Sequence, residues 1–124
     1  MKNNNLEYRL QCWYVMYLRS KGLLFNASSG GLHTTNIRAA VRNKKAGAQR
    51  GFPDVQIFKA VGRNHGMLVE LKCGTYATAD QGAWNERLNA EGYYAIIVPA
   101  RYDYWQAQRY LESETEKYLK GEIV

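Results

Sequence analysis

Three long segments of the chain carry apolar side chains at intervals of three and four residues, the spacing that builds one face of an α-helix. These segments are residues 5–21, 79–91 and 103–120. A more polar segment, from Thr35 to about Lys45, also predicts a helix. Gly22 and Gly92 follow the first and third of the four helices, at the position where glycine typically ends a helix. The pattern therefore predicts four helices, two of them closed by glycine.

Between the helices lie short apolar segments of strand length, separated by glycine-, proline- and serine-bearing turns. They predict four strands, over residues 23–27, 53–58, 67–73 and 93–99. A turn is predicted at residues 28–31 and a glycine-bearing loop at residues 46–51. Pro53 would occupy the first residue of its strand, where a missing N–H is tolerated. A short turn over residues 61–66 joins the second and third strands, which predicts a hairpin.

The order of these elements is helix, strand, helix, two strands, helix, strand, helix. A helix that separates the hairpin from the last strand indicates a crossover connection, and thus a mixed sheet. The sequence predicts an α/β fold with a central mixed β-sheet flanked by helices. With 124 residues, no internal repeat and no linker, the chain is expected to form a single domain over residues 1–124.

Composition narrows the functional classes. No run of about 18 apolar residues exists, so a membrane span is not expected. The polar segment 1–5 is unlike a signal peptide, which makes the cytoplasm the default location. Cys12 and Cys73 lack the spacing of a zinc site and are both expected to be buried free thiols. His33 and His65 have no acid–base partner nearby in the sequence, and no catalytic role is expected for either.

The net charge of +6 and the isoelectric point near 9.4 favour a polyanionic partner. A basic cluster lies directly before Asp54 and is predicted to contact the phosphates of a nucleic acid, with binding that weakens as salt is added. Its members are Arg38, Arg42, Lys44, Lys45 and Arg50. The alternative for this cluster is an ordinary solvated helix face followed by a loop.

Two acidic positions sixteen residues apart carry the candidate chemistry, Asp54 and Glu70. Glu70 and Lys72 would point to the same open face of a strand, about 6–7 Å apart, with Leu71 in the core. Carboxylates bind hard divalent cations, and a nearby lysine can stabilise charge on a phosphate, so the group predicts a metal-dependent phosphodiesterase. The alternatives are a turn-forming aspartate after Pro53, and a surface ion pair between Glu70 and Lys72.

The series Asp54 … Glu70-Leu71-Lys72 resembles the PD-(D/E)XK nuclease superfamily. Four flanking features narrow the resemblance to the virus-type replication-repair nuclease (VRR-NUC) domains. They are Glu7 in the first helix, the approach Gly47 … Arg50-Gly51-Phe52-Pro53-Asp54, the helix opening Gln81-x-x-Trp84, and the strand within residues 92–98. The resemblance covers roughly residues 5–100. An acid-x-lysine triplet alone occurs by chance in many proteins, whereas the ordered set is much more specific.

The resemblance implies a restriction-endonuclease-like core and a site that binds Mg²⁺ or Mn²⁺. The implied metal ligands are Asp54, Glu70, the main-chain carbonyl of Leu71, and Glu7. Lys72 would stabilise charge on the phosphate or, alternatively, deprotonate water. Gln81 would hold a water molecule or a phosphate near the metal, the alternative being a helix-start residue with no catalytic role. Glu7 could equally be an ordinary exposed helix glutamate, and Trp84 is expected in the core because it shares a helix face with Leu88.

The function implied is a metal-dependent DNA endonuclease, with Asp54, Glu70, Lys72 and Gln81 as catalytic residues. Standalone domains of the family resemble Holliday-junction resolvases, which implies structure-selective cleavage of branched DNA in replication, repair or recombination. A homodimer is expected because two symmetric incisions need two sites. The resemblance also implies a phage or mobile-element origin and residence in the host-cell cytoplasm. The alternatives are a catalytically silent nucleic-acid-binding module with the same fold, and a basic protein-interaction domain.

Overall fold

Four helices and four strands alternate along the described part of the chain. The computed structural model describes residues 4–28 and 36–123; His33, Thr35 and residues 29–31 of the predicted turn lie outside these ranges. In chain order the elements are α1 (Asn4–Ser20), β1 (Phe25–Ala27), α2 (Ile37–Lys45), β2 (Val55–Ile57), β3 (Met67–Glu70), α3 (Ala79–Ala90), β4 (Tyr94–Ile97) and α4 (Tyr104–Leu119). The type and order of the predicted elements are confirmed.

The four strands form one mixed sheet in the order β1-β2-β3-β4. β2 pairs antiparallel with both β1 and β3, whereas β3 and β4 run parallel and are connected through α3. The predicted mixed sheet with its helical crossover is therefore confirmed. The predicted strands were too long at the acidic positions, because β2 begins at Val55 and β3 ends at Glu70. The ladder stops there because the Asp54 carboxylate, not a main-chain carbonyl, accepts the N–H of Leu71 at 2.8 Å.

One face of the sheet packs against α1 and α4. Alternate strand residues enter a buried cluster with apolar side chains of these two helices. The cluster includes Leu10, Tyr14, Leu18, Val55, Ile57, Met67, Val69, Leu71, Ile96, Val98, Leu111 and Tyr118. Burying each large aliphatic side chain contributes about 1.5–3 kcal/mol, so this layer supplies most of the stability of the fold. Within this layer, the hydroxyls of Tyr14 and Thr115 form a buried hydrogen bond of 2.8 Å that joins α1 to α4.

α3 lies against the opposite face of the sheet, where buried Leu68 and Ala95 accompany the polar residues Gln56 and Glu70. None of the α3 residues is buried. At its C-terminal end, Asn89 hydrogen-bonds to both main-chain groups of Ala95 on β4, at 2.9 and 3.1 Å. Trp84 is half-buried and packs edge-on against Phe52, with ring centroids 5.0 Å apart. The prediction that Trp84 belongs to the core is wrong, because its helix lies on the side of the sheet opposite to the buried cluster.

Two further predictions concern Cys12 and His65. Cys73 is buried as expected, but Cys12 is exposed, because it lies on the outward face of α1 with Tyr8 and Met16. The His65 ring packs beside Tyr93, at the end of β3 opposite to Lys72. In the ranges that the structure describes, no helix combines the length and the apolar character needed to cross a bilayer.

Candidate active site

The sheet brings Asp54 and Glu70 together at the ends of two neighbouring strands. Asp54 immediately precedes β2 and Glu70 is the last residue of β3. The two carboxyl groups are within hydrogen-bonding reach of each other when one of them is protonated. Burial and the charge of Asp54 raise the pKa of Glu70 to about 9. Burial also raises the pKa of Asp54, partly offset by the hydrogen bond from Leu71. Both carboxyl groups are therefore costly to ionise without a compensating cation.

The surroundings of Glu70 leave one of its two oxygens unsatisfied. Its Oε2 accepts a 2.8 Å hydrogen bond from the side-chain amide of Gln81 and lies 4.0 Å from the ammonium of Lys72. Its Oε1 is buried and has no hydrogen-bond donor among the described residues. An ionised carboxylate only accepts hydrogen bonds, so the facing oxygens of Glu70 and Asp54 repel each other unless a proton or a cation lies between them. Lys72 approaches Oε2 of Glu70, so it is Oε1 that has neither a hydrogen-bond donor nor an ion-pair partner among the described residues.

Glu70 and Lys72 do not lie on an open strand face, contrary to the prediction. Their exposed fractions are only 5% and 8%. The reason is that β3 is a central strand, paired on both sides, and that α3 begins beside Glu70. The alternative of a surface ion pair is therefore also wrong. Buried ionic groups are costly, and keeping them favours a functional explanation over a gain in stability.

Gln81 ties the start of α3 to the acidic pair. Its Oε1 accepts the N–H of Thr78 at 2.8 Å, while the Thr78 hydroxyl accepts the N–H of Gln81 at 3.1 Å, forming a capping box. The same side-chain amide donates to Glu70. The sequence suggested that Gln81 holds water or phosphate, but its contacts support a different role, orienting the Glu70 carboxylate.

Glu7 approaches the site from α1 without joining the acidic pair. Its Oε2 accepts the hydroxyl of Thr75 at 2.5 Å and the N–H of Cys73 at 3.4 Å. Its negative charge contributes to the raised pKa values of Asp54 and Glu70, so it lies nearby. Within residues 4–28 and 36–123, no three His, Cys, Asp or Glu side chains form a metal-binding cluster. Only two side-chain carboxylates of the described residues therefore meet at the site, those of Asp54 and Glu70.

A buried polar network that the sequence reasoning missed fixes the main chain around Asp54. Gln56 donates to the carbonyl of Pro53 at 2.8 Å and accepts from the side-chain amide of Asn26 at 2.8 Å. The N–H of Ser28 donates to the carbonyl of Asp54, also at 2.8 Å. The available signal was a glutamine between the two apolar residues of β2. These contacts hold the Asp54 backbone on both sides.

All five residues of the basic cluster are exposed. α2 has no buried residue, and Arg50 lies in the loop that follows it. The ion pairs among the described residues are Lys21–Glu116, Lys72–Glu70 and Lys117–Glu114, so none involves this cluster. Gly51 then brings the loop against α3: a Cβ at this position would lie 2.7 Å from main-chain atoms of Asp80 and Gln81. The main chain next to Arg50 therefore packs against the first turn of α3, whose Gln81 contacts Glu70.

The fold is shared with a solved structure described as "VRR_NUC domain protein". The match has a TM-score of 0.64 and 22% sequence identity, and it covers 97% of this chain and 89% of that one. Neither a protein-family model nor a curated protein sequence matches the chain. The resemblance inferred from the sequence is thus confirmed at the level of the fold, over nearly the whole chain.

Proposed function

We propose that this chain is a metal-dependent DNA endonuclease with a site of the PD-(D/E)XK type. The observation that carries the proposal is the buried oxygen of Glu70 that lacks a donor and stands beside a second carboxyl group, that of the half-buried Asp54. Such a pair is expensive in an ordinary fold but suits a divalent cation. The shared fold with a VRR_NUC domain protein supports the same function.

The residues present fit Mg²⁺ or Mn²⁺. Magnesium is commonly held by one or two carboxylates, with water and substrate phosphate oxygens completing its coordination. Asp54 and Glu70 supply that pair, and the Leu71 carbonyl and Glu7 are the further ligands we propose. The chemistry that such a cation supplies is polarisation of the phosphate and a lowered pKa of the attacking water.

Lys72 and Gln81 act on the substrate and on the acidic pair, respectively. The Lys72 ammonium is buried beside Glu70, in surroundings of low dielectric where its charge acts strongly. It therefore stabilises the negative charge that develops on the phosphate as the bond breaks. Gln81 holds Glu70 in one orientation through its 2.8 Å hydrogen bond. An oriented carboxylate reduces the reorganisation needed during the reaction.

The basic cluster is proposed to bind the DNA backbone beside the site. Its five cations form no ion pair among the described residues. The last of them, Arg50, precedes Asp54 by four residues in the sequence. We further propose branched DNA as the substrate and a homodimer as the active form, because paired incisions require two sites. Action in replication, repair or recombination in the host-cell cytoplasm completes this proposal.

The proposal is tested by cleavage assays on labelled four-way junction, flap, nicked and linear duplex DNA with Mg²⁺ or Mn²⁺. Asp54→Asn and Glu70→Gln should each abolish cleavage while DNA binding persists. Glu86→Gln, an exposed position on α3, is the matched control and should cleave normally. Retained metal-dependent cleavage by both site variants would count decisively against the assignment. Mg²⁺ titration by calorimetry separates an enzyme from a silent binding module, which has no reason to bind the ion at Asp54.

Binding through the basic cluster is tested with the double variant Lys44→Gln/Lys45→Gln. If each lysine neutralises one phosphate, the slope of log affinity against log salt should fall by about 2, without regard to DNA sequence. Lys117→Gln/Lys120→Gln removes the same charge from exposed positions at the C-terminal end of α4 and serves as the control. Equal weakening by the two double variants would show that only net charge matters.

A further inference from the structure

Tyr76 is the most exposed large hydrophobic side chain in the described part of the chain. Its exposed fraction is 86%, and it lies in the loop between β3 and α3. Single exposed apolar residues are normal on protein surfaces and need no explanation by themselves. The position of Tyr76 relative to the acidic pair is what distinguishes it.

Hydrogen bonds to Glu7 and Gln81 fix the loop that carries Tyr76 on both sides of that residue. On one side, the Thr75 hydroxyl donates to Glu7. On the other, Thr78 forms the capping box with Gln81, whose amide donates to Glu70. Tyr76 is one residue from the first tie and two from the second. Its backbone is therefore held beside the site while its ring is presented to solvent.

A second exposed aromatic ring flanks the start of α3. Phe52 lies two residues before Asp54, has an exposed fraction of 42%, and packs against Trp84 in an edge-to-face contact. The close approach of Gly51 to the first turn of α3 fixes the loop that bears it. Phe52 and Tyr76 thus stand on two segments that both adjoin the first turn of α3, where Gln81 contacts Glu70.

From this placement we infer that the site takes DNA whose bases next to the cleaved phosphate are unpaired, with Tyr76 and Phe52 as stacking surfaces for those bases. The inference rests on the proposed endonuclease function and narrows its substrate class. Bases inside a continuous duplex already stack on their neighbours, so their faces are not available to a protein ring. Unpaired bases offer a free face and stack on aromatic side chains with little regard to sequence. Among branched substrates, flaps and forks satisfy this condition, whereas a fully paired linear duplex does not.

The test measures binding without cleavage, in the Asp54→Asn background. The probes are a single-stranded oligonucleotide and a flap with 2-aminopurine in the unpaired segment, and a linear duplex of the same sequence. In the parent protein, stacking of 2-aminopurine on the Tyr76 ring should quench its fluorescence. Tyr76→Leu, which keeps an apolar side chain but removes the ring, should weaken binding to the unpaired probes about tenfold and abolish this quenching. Duplex affinity should change less than twofold, and Tyr76→Phe should bind like the parent.

The control is Phe58→Leu, which removes a ring that is 57% exposed just beyond the other end of β2. It should leave all affinities unchanged. The inference is overturned if Tyr76→Leu affects no probe, or weakens duplex and unpaired probes equally. A wild-type protein that cleaves no DNA but shows the Tyr76-dependent preference would refute the endonuclease proposal while the stacking surface stands. Cleavage without any dependence on Tyr76 would refute the stacking surface alone.

Discussion

Replacing Glu70 with glutamine should stabilise the metal-free protein at neutral pH, although it removes a residue from the centre of the candidate site. Folding raises the pKa of Glu70 from an ordinary value of 4.5 to about 9, because of burial and the neighbouring Asp54. At pH 7 the folded protein therefore holds a proton that the unfolded chain has released. Glutamine has nearly the same shape and needs no proton, so the variant avoids this cost.

The sign and size of the effect follow from proton linkage. A carboxyl group with a raised pKa in the folded state costs stability as pH rises from its unfolded pKa, and the loss levels off above its folded pKa. The window here is from 4.5 to about 9. At about 1.4 kcal/mol per pH unit, the loss accumulated by pH 7 is about 3 kcal/mol, an upper bound that corresponds to about 10 °C in Tm. The raised pKa of Asp54 acts in the same direction.

The assay is thermal unfolding followed by circular dichroism, in EDTA, at several pH values between 5 and 9. The Tm of the wild type should fall across this range, and Glu70→Gln should show a shallower slope and a higher Tm at pH 7. Added MgCl₂ should restore the wild type, because a cation replaces the proton, but should do little for the variant. Glu86→Gln should follow the wild type throughout. A Glu70→Gln protein that melts below the wild type in EDTA at pH 8 would refute the reasoning.

Two further predictions concern side chains that position the acidic pair. Gln81→Leu should lower the single-turnover rate of DNA cleavage about 10- to 100-fold by releasing Glu70; Gln106→Leu removes the equivalent capping-box amide of α4 and should leave the rate unchanged. Gly51→Ala should lower the free energy of unfolding, measured with urea, by more than Gly47→Ala does. Both glycines have positive φ, which costs about 1–2 kcal/mol with a side chain. Only Gly51 would also clash, since no described atom lies within 4 Å of a Cβ at Gly47. Equal losses would show that the approach to α3 is not tight.

The periodic pattern of the sequence found the helices because amphipathic spacing is a local property. The first helix, predicted over residues 5–21, is α1 at Asn4–Ser20, and the last, predicted over 103–120, is α4 at Tyr104–Leu119. Strand ends were less accurate because they depend on partners far along the chain. β3 was extended to residue 73, but it ends at Glu70, where Asp54 takes the N–H of Leu71. No local pattern reports that contact.

Burial of the site was missed for a related reason. Alternation along a strand shows which residues share a face, but not whether that face is covered. Glu70 and Lys72 do differ in face from the core residue Leu71, as expected, yet both are buried because β3 is central. The network around Gln56 was missed because a polar residue in a strand is usually taken as exposed. The meeting of Asp54, Glu70 and Lys72 could thus be predicted from residue types, whereas their electrostatic environment could not.

The candidate site and α3 hold each other in place. α3 has no fully buried residue; hydrogen bonds hold it at both ends, from Asn89 to Ala95 of β4 and from Gln81 to Glu70, and half-buried side chains such as Trp84 pack between them. The same first turn of α3 contacts the loops that carry Phe52 and Tyr76. A cation that relieves the repulsion between Asp54 and Glu70 would leave Glu70 fully ionised, and an ionised acceptor binds the Gln81 amide more strongly. Binding of the proposed cation and docking of α3 would therefore be coupled through one hydrogen bond, and this coupling would link the charge of the site to the proposed stacking surface.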